Sequence, residues 1–145
     1  MPLAIEVDTE RRLIIARVRG VFTYDDISGY QTEVLSKPEL HGYDEIFDIS
    51  EVESIDYKSH KKVGELAERS AALDNSMTGR LAIVAPSYGA FGLARMYQTY
   101  RGLQPSSKKK IAVLRSFEEA VKWLIGQRQS VHAVTATNDR TPRWP

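Results

Sequence analysis

RLAIVAP, residues 80–86, carries an unbroken apolar run from Leu81 to Ala85 that a proline ends. A strand with one wet face alternates apolar and polar residues. A run without alternation suits a strand covered on both faces, the usual state of strands in a parallel sheet. Such sheets need crossover helices, so the residues on either side should read as helices. They do. Lys58 to about Asn75 places Val63, Leu66, Ala67, Ser70 and Ala71 on one helical face, with Lys58, Lys61, Lys62, Glu65 and Glu68 over the rest. Downstream, Phe91 to Leu103 turns Leu93, Met96, Tyr97 and Tyr100 inward.

The remaining elements follow by the same test. Leu3, Ile5 and Val7 alternate with Ala4, Glu6 and Asp8, a half-buried strand. Leu13 to Val18 is a second strand, joined to the first by a polar loop of hairpin length, with Gly20 expected to end it. Thr23 caps a helix whose first turn holds Asp25 and Asp26, where the helix dipole favours negative charge. Ile27, Tyr30 and Val34 line its inner face, and Lys37-Pro38 stops it. Glu45 to Ile49 is the third strand and Lys110 to Leu114 the last. Ser116 caps FEEAVKWLIG, with Gly126 expected to close that helix.

The order ββαβαβαβα predicts an α/β fold: one domain with a five-stranded mixed sheet that opens on a hairpin. Its 145 residues suit a single domain, here expected over residues 1–126. Residues 127–145 have weak periodicity and two prolines and read as a C-terminal extension. Trp144 lies between Arg143 and Pro145, so the extension is expected to pack on the domain or on a second copy in a homodimer.

A net charge of +1 gives no reason to expect nucleic acid as a partner. No apolar stretch approaches the ~20 residues of a membrane helix, so no membrane insertion is expected. The N-terminus meets acidic residues too early for a signal peptide. The absence of cysteine excludes disulfides and sulfur-bound zinc, and fits a cytoplasmic protein. His41, His60 and His132 are scattered without metal-ligand spacing, so no metal is expected.

FDISEVESID, residues 47–56, resembles the STAS fold of anti-sigma-factor antagonists and of the C-terminal domains of sulfate transporters. The residues that carry the likeness are Asp48, Ile49, Ser50, Val52, Ile55 and Asp56. In the antagonists a serine follows and is phosphorylated by a partner kinase, and a glycine stands two residues later. This chain has Tyr57 and Ser59 at those positions. A tyrosine hydroxyl stands several ångströms farther from the helix end that would favour an added phosphate. The resemblance thus implies the scaffold without its serine switch. Residues 80 to 126 are similar to small SpoIIAA-like bacterial proteins of unassigned function, on Phe91, Gly92, Arg95, Met96, Glu119, Ala120, Trp123 and Leu124. Together the likeness covers about residues 3 to 126.

Candidate sites are two. Ser50, Asp56, Tyr57 and Ser59 mark an interaction surface for a protein partner, by the resemblance. Ser87, Gly89, Ala90, Phe91, Gly92 and Arg95 form a loop between a strand's carboxyl end and a helix start, where free amides could hold an anion and Arg95 could reach back. The competing role for Arg95 is a pair with Asp48 or Glu45. GAFG lacks the spacing and lysine of a phosphate loop, Ser87 sits in no GxSxG elbow, and Asp48 and Asp56 suit backbone bonds better than acid-base chemistry. Lys108-Lys109-Lys110, beside Arg101 and Arg115, reads as a solvated strand entrance. No catalytic residue and no cofactor is expected. The sequence therefore points to a non-catalytic regulatory or protein-interaction module, with a small anionic or lipid-like (amphipathic) ligand near residues 87–95 as the second reading.

Overall fold

The computed structural model describes residues 3–55, 60–74, 79–107 and 109–134. Strands β1 (Leu3–Asp8), β2 (Leu13–Phe22), β3 (Asp44–Ile55), β4 (Arg80–Val84) and β5 (Lys110–Leu114) form one sheet in sequential order. β1 pairs antiparallel with β2, and every later neighbour is parallel. The parallel pairs are joined by α1 (Tyr24–Tyr30, continued as a π-helical turn Gln31–Leu35), α2 (His60–Ala72) and α3 (Tyr88–Gly102). α4 (Phe117–Val134) follows β5. This is the α/β architecture with an opening hairpin that the residue pattern predicts.

The period of two along each strand sorts the core into two layers. Val18, Ile49, Leu81 and Ile83 face Ile27 of α1, Val63 and Leu66 of α2 and Ala94 of α3. Leu13, Ile46, Ala82 and Val84 face the other way, onto Ala120 and Leu124 of α4. One helix therefore covers one face and three cover the other.

Local chemistry sets several boundaries differently from the sequence reading. Gly20 does not end β2; it takes φ +70° inside it, and β2 runs on to Phe22 beside a lengthened β3. Two register shifts there insert extra residues in β3, and Asp48 Oδ1 accepts the Ser50 N–H at 2.9 Å. α3 begins at Tyr88 rather than Phe91 because Ser87 caps it, its Oγ accepting the Ala90 N–H at 3.1 Å. Nor does Gly126 close the last helix. α4 continues to Val134, and Arg128 donates to Asp44 Oδ2 at 2.9 Å and to the Arg11 carbonyl at 2.8 Å. Residue 128 therefore belongs to the packed body, while 135–145 lie outside the described residues.

Candidate functional site

The three-helix face does not pack solid. Between the sheet and α1–α3 lies a cavity of about 80 Å³. Phe47, Ile49, Leu81 and Ile83 form its sheet wall, and Ile27, Val63, Leu66, Leu93 and Ala94 its helical wall. Most of the lining is thus hydrocarbon, as in pockets for small apolar or amphipathic molecules.

Its polar groups gather at one end, where β3 and β5 begin and α2 and α3 finish. Glu45 shares a face with Phe47 and Ile49, so the pleat turns its carboxylate inward. It accepts a hydrogen bond from Tyr30 Oη at 2.7 Å and another from Lys109 Nζ. The pair is buried: Lys109 is 10% exposed and Glu45 3%. Burial first, and then the Glu45 carboxylate, hold the Tyr30 phenol well above its ordinary range. Arg101, on the last turn of α3, donates to Asp74 Oδ1, to the Ser70 carbonyl at 3.2 Å and to Tyr97 Oη at 2.6 Å. Ser70 Oγ donates to the Leu66 carbonyl at 2.9 Å and accepts from Gln31 Nε2.

Two polar atoms in this cluster have no hydrogen-bond partner among the described residues: Gln31 Oε1 and Arg101 Nε. Both residues line the cavity and are buried, and the two atoms themselves lie just behind its wall with almost no accessible surface of their own. A native fold pairs nearly all such atoms, so two orphans at one end of one cavity are a specific feature. Gln31 is also the first residue of the π-helical turn, a geometry found often at functional sites. The end is chemically balanced in charge, with Arg101 against Asp74 and Lys109 against Glu45.

The residues singled out from sequence lie elsewhere. Ser87, Gly89, Ala90, Phe91 and Gly92 open α3 at the opposite, carboxyl edge of the sheet. There the Ala90 amide is taken by Ser87 Oγ and the Phe91 amide by the Ser87 carbonyl at 2.8 Å. Arg95 is exposed and neither reaches back nor pairs with Asp48 or Glu45. It donates to Gln98 Oε1 at 3.1 Å. Arg115 is a cation at this edge, stacked 4.0 Å from the Phe91 ring centroid and bonded to the Pro86 carbonyl. Ser50 is exposed on the β2–β3 extension, whereas Asp56, Tyr57 and Ser59 lie outside the described residues.

No sequence pattern singles out Gln31, Glu45, Arg101 and Lys109 as a group. Two had a legible signal: Glu45 falls in register with Phe47 and Ile49, and Arg101 stands four residues from inward-facing Tyr97. Lys109 stands in a basic run that reads as solvated; the structure corrects that, since its ammonium is buried and pairs with Glu45.

The chain has the SpoIIAA-like fold. It is similar to an uncharacterized protein from the DUF3478 family with a SpoIIAA-like fold from Shewanella loihica PV-4. That likeness has a TM-score of 0.53 and 15% identity, over 84% of this chain and 91% of that one. It is also similar to the anti-sigma factor antagonist SpoIIAA in its unphosphorylated form, with a TM-score of 0.50 and 14% identity, over 86% and 98%. No family model and no curated protein matches the sequence. At such identities the likeness carries the fold, and the chemistry must come from the site.

Proposed function

We propose that this chain is a non-catalytic STAS-like regulatory module that binds a small amphipathic molecule in the cavity between the sheet and α1–α3. The observation that carries the reading is the pair of orphaned buried atoms, Gln31 Oε1 and Arg101 Nε, at the polar end of an apolar cavity. An unpaired buried polar group costs about 1–3 kcal/mol, and a bound polar head toward which the Gln31 and Arg101 side chains turn would remove that cost. The cavity has about half the ~150 Å³ of an engineered cavity that admits benzene, so its occupant is small or displaces side chains.

The polar groups here are positioned for binding rather than turnover. Ser70 Oγ is bonded to the Leu66 carbonyl and to Gln31, neither of them a base, and Glu45 is held by two donors. Tyr57 in the position of the antagonists' serine removes the phosphorylation switch and leaves ligand occupancy as the regulatory input. The protein partner would read that input on the surface around Ser50 and the segment 56–59, in the cytoplasm. Native mass spectrometry of the purified chain tests the binding. The expected spectrum carries a small adduct that leaves on denaturation and is reduced in Ala94→Leu, which fills the cavity. A spectrum of bare chain alone, unchanged by added short-chain amides and alcohols, would contradict the proposal.

A further inference from the structure

We infer that the polar end of the cavity selects a neutral head group able both to donate and to accept a hydrogen bond, a primary amide or an alcohol, over a carboxylate. The inference rests on the binding reading above and adds the chemistry of the head.

The two orphans ask for opposite partners. Gln31 Oε1 is a carbonyl oxygen and needs a donor; Arg101 Nε–H needs an acceptor. They are neighbours through one residue, because Gln31 Nε2 donates to Ser70 Oγ while Arg101 Nη2 donates to the Ser70 carbonyl. That Gln31 amide orientation is set by Ser70, whose own hydrogen is committed to Leu66. With the two side chains turned slightly into the cavity, a primary amide gives N–H to Gln31 and C=O to Arg101, and a hydroxyl can serve as donor to one and acceptor to the other. A carboxylate offers only acceptors and would face Gln31 Oε1 with lone pairs.

Charge points the same way. Arg101 and Lys109 each already have a carboxylate, Asp74 and Glu45, and all four side chains are at most 10% exposed. An entering carboxylate would make three anions against two cations in a site with little water to screen them. A buried charge without its own counter-charge is disfavoured.

The test is an NMR titration of the full chain with butyramide, butan-1-ol and butyrate at neutral pH, reading the Arg101 Nε–H and Gln31 side-chain amide resonances. Butyramide and butan-1-ol are expected to move both resonances, with butyramide bound about tenfold or more tightly than butyrate, the difference one good hydrogen bond makes. In Gln31→Leu that preference is expected to fall to about twofold while butan-1-ol still binds. Butyrate binding as tightly as butyramide, or an undiminished preference in Gln31→Leu, would overturn the head-group assignment and leave cavity binding standing. Failure of all three probes to bind would overturn the binding reading itself. Should Gln31→Leu not fold, the three wild-type affinities decide the matter alone.

Discussion

Tyr30 donates its phenolic hydrogen to Glu45 across 2.7 Å, with both side chains closed off from solvent between α1 and β3. The bond holds α1 to the sheet at the polar end of the cavity, and burial keeps the phenol protonated well past its ordinary value of 10.0. In the unfolded chain the same phenol ionises near that value. Between the unfolded and folded values the native state holds a proton that the unfolded state has lost, so stability falls as pH rises. Its contribution is complete below about pH 10 and declines above it. Urea unfolding through the alkaline range should show this decline, and Tyr30→Phe should flatten it. At neutral pH the variant should lose about 1–3 kcal/mol, because Glu45 loses a donor.

The Lys109–Glu45 pair makes a second test. Lys109→Met leaves a buried carboxylate with Tyr30 as its donor and should cost about 3–5 kcal/mol. Adding Glu45→Gln removes the unpaired charge, so the double variant should recover much of that loss. Equal and additive losses in chemical denaturation would show that the two groups do not interact in solution.

Gly79 is fixed by sterics. A Cβ there would stand 2.1 Å from the Tyr43 carbonyl oxygen, a backbone atom that cannot swing away. The close approach also brings the Arg80 N–H to Asp44 Oδ1 at 2.9 Å at the start of β4. Gly79→Ala should destabilise by about 1–3 kcal/mol or more, the range for overpacking. A melting temperature within one degree of the parent, about 1 °C being far below the shift expected for such a loss, would contradict the placement.

At the far side of the sheet Asp44 is held by both Arg80 and Arg128. Arg128→Ala leaves the buried carboxylate with one cation and takes a donor from the Arg11 carbonyl. It should cost about 1–3 kcal/mol. Truncation after Gly126 should cost at least as much, measured by denaturant midpoint. An unchanged midpoint in both would mean that α4 contributes nothing past Gly126.

The fold was readable because it rests on periodicity: apolar alternation in β1, the unbroken run in β4, and helical faces such as Val63–Leu66–Ala67. Boundaries were less so, since each turned on a single bond or backbone angle. Gly126 reads as a stop because glycine costs a helix about 1 kcal/mol, yet Arg128 bonding to Asp44 offsets it. The cavity was not legible at all. Its polar end joins Gln31 to Ser70, 39 residues on, and Ser70 to Arg101, 31 further on, and they meet only when α1, α2 and α3 dock. An orphaned atom has no signature in the chain, because it is defined by what its neighbours do not supply. At SYGAFGLAR a cap is as hard to read as an open helix end: the structure gives the Ala90 amide to Ser87 Oγ and turns Arg95 to Gln98.

The most direct measurement is a backbone chemical-shift map of the full chain with butan-1-ol. Binding in the cavity predicts saturable shifts centred on Ile27, Leu66 and Ala94, with Ala94→Leu weakening them and the amides of Ser87 to Gly92 little moved. Shifts confined to residues 87–92, or a response in Ala94→Leu equal to the parent's, would contradict the account.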